Sequence, residues 1–592
     1  MATTNVFESN EFAIPAEQKY LLEAAKRKRE EGPKQFEQLH FSDNERLRGL
    51  VDDVWADHDA LDALPMPIEK DGRAKFLILG TGMGGIVIAV KLIQKGFRAK
   101  DILLVDTAGG VGGTWYWNRY PWNNEKKAWS VDVTTRRGPQ GKQEISFSFF
   151  AENVAIASGV FPYPQVPKAP GLTQFDGAMF HTARWNYEVT GGSSNDPFPE
   201  MHKLKDKVVG IVGTGATAIQ VIPQLAKYAK EVYVFQRTPS HVFARGQRDT
   251  NPEEWRQKIA KRPGWQRDRM ENLSEIIAGH LSPEHDLVDD GWTKLEGYRA
   301  LVGSGQFGLI APDKAQDHIG AMLALDFKHA EISRTRILQI VKDKETARKL
   351  TPWYPIWCKR PTFSDTYLET FNRDNVHLVD TDGAGINNFS KKGVIANGQE
   401  YPLNVLVLST GYRSPLAGGD PGSRTGTEII GRHGRRLADK WEEKGFSTLH
   451  GILTNGFPNL FILSPGQAAT TANWTHLVEV VSGHIASIIE VTRCRSSHEQ
   501  EAVLIEPSVE AEDAWGMKIA QGAAFFSGVA VCTPGYLNLE GEVLKMPPSE
   551  DHVAMMKRAK SSVWYKGMVD FTRTLDTWLK DGRLEGLEVG VC

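Results

Sequence analysis

The chain has 592 residues, more than one ordinary hydrophobic core accommodates, so two or three domains are expected. Its 70 basic and 73 acidic side chains leave a net charge of −3, which removes the electrostatic case for a nucleic-acid partner. Four cysteines, Cys358, Cys494, Cys532 and Cys592, carry no CxxC spacing, so neither a disulfide framework nor a metal site is expected; residues Met1 to Glu11 lack an apolar core, no stretch approaches a membrane span, and a soluble cytoplasmic protein is the expectation.

Residues 1–70 read as an N-terminal extension. Ala16 to Glu31 has helical composition with a basic patch, Lys26-Arg-Lys-Arg29, and is expected to be a solvated helix packed on the main body. At Phe76-Leu-Ile-Leu79 the texture changes to the short apolar run of a buried parallel strand. Gly80-Thr-Gly82-Met-Gly-Gly85 follows directly and opens a helical stretch, and a second strand, Ile102 to Val105, ends at Asp106. That order is the context a dinucleotide fingerprint needs: Gly80 for the tight turn, Gly82 for approach of the backbone to a pyrophosphate, Gly85 for helix packing, and Asp106 for the ribose hydroxyls. Next, Gly109 to Gly113 precedes Thr114 and three aromatics, Trp115, Tyr116 and Trp117. Small residues beside flat ones suit a flavin ring, and they equally suit an aromatic core cluster.

Phe175-Asp-Gly-Ala-Met-Phe-His181-Thr-Ala-Arg-Trp185 then leads to a second strand, turn and helix. Val208 to Val212 precedes Gly213-Thr214-Gly215-Ala216-Thr217-Ala218, with Ile219 and Gln220 in the first helical turn. The strand after that helix, Glu231 to Phe235, ends in Gln236-Arg237-Thr238 rather than in an acid. A carboxylate would repel a 2′-phosphate whereas Arg237 can pair with one through two hydrogen bonds, so this site is expected to prefer NADPH; the plainer reading is a surface arginine. From about Arg245 to Arg336 the chain is charged and helical in pattern, with Pro252, Pro263, Pro283 and Pro312 as breaks, and Val405 to Leu408 and Leu460 to Leu463 are later buried strands.

The fold expected is α/β, with two Rossmann-like dinucleotide-binding domains. An FAD domain would take 71–174 and 386–592, and an NADP domain, opened by the linking motif, 175–245 and 337–385, with a helical insertion at 246–336. Phe175, Gly177, His181 and Trp185 match an FxGxxxHxxxW pattern, and Gly113-Thr-Trp-Tyr-Trp-Asn-Arg-Tyr-Pro121 matches an FAD loop. In both, the chain resembles the Baeyer-Villiger monooxygenases, here of the fungal secondary-metabolism type. The resemblance implies FAD at Gly80 with contacts from Thr114 to Trp117, NADPH at Gly213, and a conformational role for His181. Trp357-Cys-Lys-Arg360-Pro361 is similar to the family's active-site arginine segment, which would set Arg360 over the flavin, where a guanidinium stabilises anionic species at any working pH; without that match an interdomain salt bridge would be the default. The implied reaction takes electrons from NADPH and one oxygen atom from O2 and turns a small-molecule ketone into an ester or lactone. Leu408-Ser-Thr-Gly411 resembles the segment returning to the flavin domain.

One stretch departs from the pattern. After Pro121 the family's loop carries an Asp that pairs with the arginine, followed by a long helical segment; here Trp122-Asn-Asn-Glu-Lys-Lys127 follows, and only 36 residues separate Pro121 from Ala157. Asp132 is the nearest carboxylate, in an alternating strand-like run. The alternatives are a heteroatom-oxidising flavin monooxygenase, a disulfide reductase, for which the redox cysteine pair is lacking, and an inactive homologue missing this block.

Overall fold

The computed structural model describes residues 14–591 except 54–55, 107, 109–110, 112–119, 124–127, 138–142, 162, 194–198, 415–418, 423–426, 496–502 and 546–550. Helix α1 (Ala16–Arg27) of the extension buries Tyr20, Glu23 and Arg27, and Arg334 donates to the Tyr20 hydroxyl at 2.6 Å. Further on, Phe36–Gln38 pairs antiparallel with Gln165–Pro167, and Leu39 and Leu47 enter a core shared with Phe175 and Leu406. Half of α1 stays exposed while one face packs on the body, as expected of a solvated helix packed on it. The extension is held both by polar side chains that find partners and by Leu39 and Leu47 in the shared core.

Strand β1 (Arg73–Leu79) leads through the first glycine turn into α2 (Met83–Gln94) and then β2 (Ile102–Val105), parallel to β1. The chain continues as β3 (Tyr120–Asn123), β4 (Ala128–Arg137) and β5 (Gln143–Ile156). β5 runs antiparallel to β4 over its first half and parallel to β1 over its second, from Ala74↔Ala151 to Leu79↔Ile156. The short stretch after Pro121 thus folds as a meander that extends the first sheet, and Trp129 pins it by donating to the Pro458 carbonyl at 3.0 Å from a fully buried position.

The second sheet is built from β6 (Ala178–His181), β7 (Val208–Val212), β8 (Glu231–Gln236), β9 (Val376–Asp380) and β10 (Val405–Leu408), in the order β9-β8-β7-β10-β6, every pair parallel. Helix α3 (Ala216–Tyr228) packs Ala218, Ile219, Ile222 and Leu225 on it. Between β8 and β9 lie α4 (Trp265–Ile277) and α5 (Ala315–Ile340). Pro283 and Pro312 start short helical turns, positions where the missing N–H costs nothing. β11 (Leu460–Ile462) then returns to the first sheet beside β5, and α6 (Trp474–Arg495) packs on α2, where Lys95 meets Glu490 at 2.8 Å. Among the described residues no helix is long and apolar enough to cross a membrane.

Cys358 and Cys532 form a disulfide across 174 residues of sequence, contrary to the expectation of none. Spacing carries no information about a pair so far apart; only the fold brings the two segments together.

Among the buried histidines, His181, His241, His450, His476 and His484 are held neutral because burial penalises their charged form, His181, His241 and His484 down to about 3 and His476 to about 4. The unfolded chain protonates each near its ordinary value, so between that value and about 3 the unfolded state binds more protons. The histidine contribution to stability is full above pH about 6.5 and falls by about 1.4 kcal/mol per histidine per pH unit below it. Thermal unfolding followed from pH 7.5 to 5 is expected to show a steep drop of Tm beginning near pH 6.5; a flat Tm over that range would contradict the burial of these rings.

Candidate functional site

Both glycine turns are built in the same way. At the end of β1, Gly80 takes φ +101°, its N–H donates to the Val105 carbonyl at 2.8 Å, and a side chain there would stand 2.7 Å from the Ala157 oxygen. At the end of β7, Gly213 takes φ +111°, and a side chain would stand 2.4 Å from the Ser409 oxygen. Only glycine fits either place. Gly85 is tighter still, since a Cβ would fall 1.8 Å from the Gly80 oxygen, so it sets how closely α2 sits against its strand. The result is a helix N-terminus aimed across the C-terminal edge of each sheet, with N–H groups available to an anion.

Both turns fit a dinucleotide, with differences in detail. Asp106, expected at the ribose, is turned back on the first turn and accepts from the Thr81 N–H at 2.6 Å and the Thr81 hydroxyl at 2.9 Å. Gly82 caps α2 in extended conformation. Thr114, Trp115, Tyr116 and Trp117 lie outside the described residues. In the second turn Gly215, Ala216 and Thr217 are exposed, and a Cβ on Gly215 would meet nothing within 4 Å, which leaves the space a pyrophosphate needs. Ala218 and Ile219, expected at the cofactor, turn their side chains to the sheet at 0% and 1% exposure, so what each can offer a ligand in this first helical turn is its backbone. Gln220 folds onto its own helix, donating to the Ala216 carbonyl at 2.9 Å. Thr214 donates to the Thr238 carbonyl at 2.8 Å and so ties the turn to the strand end that carries Arg237.

Arg237 is half-buried. It donates to Gln35 Oε1 at 3.1 Å and faces Glu540 Oε2 at 3.2 Å. Lys359, which sequence reasoning passed over as the neighbour of Arg360, belongs to this cluster: burial first, and Arg237 second, push its ammonium down to about 8, and its Nζ lies 3.5 Å from the Pro534 carbonyl. Its position just before Arg360 was the available signal.

His181 closes β6, opposite Leu408 of β10. It is fully buried, and its Nδ1 accepts from the Ala183 N–H at 3.0 Å, which places the ring proton on Nε2. Burial holds the ring neutral, down to about 3, and it stands edge-on to Tyr412 at 6.0 Å. The motif around it is equally structural in construction: a Cβ on Gly177 would strike Phe175 Cζ at 2.4 Å, and Arg46 of the extension donates to the Phe175 and Gly177 carbonyls at 2.5 and 3.1 Å.

Arg360 is exposed, its guanidinium 5.0 Å from the centre of the Trp292 ring in the insertion. The strap before it is fixed at three points: the Ile356 N–H donates to the Asp326 carboxylate at 3.1 Å, the Trp357 indole donates to the Gly528 carbonyl at 3.1 Å, and Cys358 is bonded to Cys532. Asp326 is pushed up to about 7 by burial. Asp132 does not serve Arg360: it lies on the exposed face of β4 and accepts from Ser148 across the strand pair.

No family model matches the sequence. The polycyclic ketone monooxygenase of Thermothelomyces thermophilus is 45% identical over 637 aligned positions, covering 97% of this chain and 96% of that one. Its solved structure superposes with a TM-score of 0.91 at 43% identity, covering 97% of this chain and 98% of that chain. The ketocytochalasin monooxygenase of Aspergillus clavatus is 34% identical over 96% of this chain and 92% of its own length. An open crystal structure of cyclohexanone monooxygenase, 24% identical with a TM-score of 0.60 over 88% of this chain and 99% of that one, shares the fold. This chain belongs to the Baeyer-Villiger monooxygenase family. It is accordingly an FAD-binding, NADPH-dependent monooxygenase. The alignment with the Thermothelomyces protein is longer than the 592 residues here, so that monooxygenase carries stretches this one lacks.

The two turns predict opposite responses to one added methyl group. Gly85→Ala forces α2 off its strand and is expected to cost more than about 2 kcal/mol of stability and most of the bound flavin. Gly215→Ala, which points into open space, is expected to leave Tm and flavin content unchanged. Flavin absorbance per protein and thermal unfolding of both variants check this.

Proposed function

We propose that this Baeyer-Villiger monooxygenase oxygenates a bulky polycyclic ketone of secondary metabolism, terpenoid-like in size, to an ester or lactone. The observation that carries the reading is the similarity to a polycyclic ketone monooxygenase across 97% of the chain, with both nucleotide turns and the arginine strap present in it. FAD would be held at Gly80, Gly82 and Gly85 with Asp106 at its ribose, and NADPH at Thr214 to Thr217 with Arg237 and Thr238 at the 2′-phosphate. Bound FAD, reduced by NADPH, supplies the oxygen-activating chemistry.

The protein's own part is placement and charge. Arg360 carries a permanent positive charge at the end of a strap that cannot slide, because Asp326, Gly528 and Cys532 hold it. A fixed cation that need not reorganise is what stabilises negative charge gathering on a substrate oxygen. The Trp292 ring, 5.0 Å from the guanidinium, limits the directions in which that cation can point. His181, neutral and enclosed at the end of the motif strand beside Leu408 and Tyr412, would transmit movement between the two nucleotide domains.

Arg360→Ala is expected to abolish lactone formation from a fused-ring ketone by about 10³-fold or more while NADPH still reduces the flavin in a stopped-flow trace. Product analysis with a ketone and a sulfide side by side decides the oxygenation type; sulfoxide alone would favour the heteroatom-oxidising reading, and no flavin uptake on reconstitution would favour an inactive homologue. Arg237→Ala is expected to raise the KM for NADPH at least about tenfold more than that for NADH; equal effects on the two would remove the assignment.

A further inference from the structure

Asp326, on α5, stands where the two segments that flank Arg360 meet. Toward the strap, its two carboxylate oxygens share the Ile356 N–H, at 3.2 and 3.1 Å, a few residues before Arg360. Toward the insertion, the turn Glu296–Tyr298 lies so close that a Cβ on Gly297 would fall 2.9 Å from Asp326 Oδ1 and 2.9 Å from its Cβ. The next residue, Tyr298, is buried and meets Trp292 edge-on at 5.5 Å, and Trp292 is the ring 5.0 Å from the guanidinium. One carboxylate therefore touches both the backbone that leads to the cation and the backbone that carries its aromatic wall.

A charge is an expensive group for a packing contact. Asp326 is 1% exposed, and among the described residues its hydrogen-bond donor is that single backbone N–H. Arg334, further along the same helix, is near enough to favour its charged form but is taken up by Glu331 at 2.8 Å, the Tyr20 hydroxyl at 2.6 Å and the Pro352 carbonyl at 3.1 Å. The other ionisable groups around it are His329 on α5, Tyr20 on α1, and Glu296 and Tyr298 on the facing turn; the segment Ala523–Val531, which also packs on α5, has none. Burial pushes the carboxyl up to about 7. A neutral acceptor would satisfy the same N–H at less cost, whereas an ionised one holds it about twice as strongly.

We propose that Asp326 is a positioning residue for the oxygenation step: ionised, it holds the strap and the Gly297 turn together on α5 and so fixes Arg360 against Trp292, and protonated, it lets them slacken. The proposal rests on the reading of Arg360 given above. Above pH about 7 the carboxylate is charged and the strap is tight; below it, protonation removes the charge that the Ile356 N–H answers, and lactone formation slows. Reduction of the flavin, which does not draw on the placement of Arg360, keeps its rate.

Lactone formation from a fused-ring ketone and flavin reduction by NADPH are followed from pH about 6 to about 9 in the flavin-loaded wild type and in Asp326→Asn, whose amide keeps the shape and the acceptor oxygen but cannot ionise. In the wild type, kcat for the lactone is expected to rise about fivefold through pH about 7 with KM changing less than about twofold, while flavin reduction shows no such limb. Asp326→Asn is expected to lack the limb, to match the acidic wild type at every pH, and to keep its flavin content and Tm. A carboxylate that is merely structural would alter Tm and leave the profile in place; that outcome overturns the proposal, as does a wild-type profile that is flat near pH 7. Asp326→Ser, a smaller neutral acceptor, replaces the amide if that variant loses its flavin, and the same outcomes decide. Should Arg360→Ala still form lactone, the reading of Arg360 fails, whereas loss of lactone in Arg360→Ala with an unaltered profile in Asp326→Asn defeats this proposal alone.

Discussion

A carbonyl oxygen pressed against a glycine, twice over, is the contact on which the rest is hung. In the first half the Ala157 oxygen packs on Gly80, and in the second the Ser409 oxygen packs on Gly213. In each case the returning strand must end close to the strand that starts the turn, because the glycine leaves no Cβ to hold them apart. The helix then begins at the sheet edge with its N–H groups facing the crevice. Gly159 and Gly411, at φ +76° and +77°, turn the chain away two residues after those carbonyls, so each half repeats the same device in register.

Polar burial supplies what the apolar cores do not. The sheets are held by clusters of Leu, Ile and Val, and the extension, which adds Leu39 and Leu47 to one of them, is further attached through Arg27, Arg46 and Tyr20, each satisfied by a named partner. Such pairs give orientation more than net stability, since desolvation offsets much of what the hydrogen bonds contribute. Orientation is what the extension needs, for it brings Gln35 to Arg237 and clamps the carbonyls of the linking motif.

The arginine strap shows a second route to rigidity. Residues Ile356 to Arg360 have little regular structure, yet they are held by a buried carboxylate, an indole hydrogen bond and a disulfide to the segment at Cys532. That same segment continues to Glu540, so the chain that holds Arg360 also touches Arg237. The two cationic centres are thereby linked through one loop.

The alternation of strand, glycine turn and helix was legible in the residues because it is local: apolar runs of four or five residues ending in glycine mark Leu79 and Val212 as strand ends, and both lie there. Val131 to Thr135 read as a strand for the same reason and sits within β4, with Asp132 on its outer face. Ala218 and Ile219 stand in the first turn of α3 with their side chains toward the sheet, as the helical period requires. The sequence by itself determined the two strand, glycine-turn and helix halves, their order and the change from Asp106 to Arg237 at the corresponding strand ends. Only the tertiary structure decided the disulfide between Cys358 and Cys532, the meeting of Gln35 and Glu540 at Arg237, and the attachment of the extension, because those contacts join residues hundreds of positions apart and no local pattern encodes which distant side chain a charge or thiol will meet.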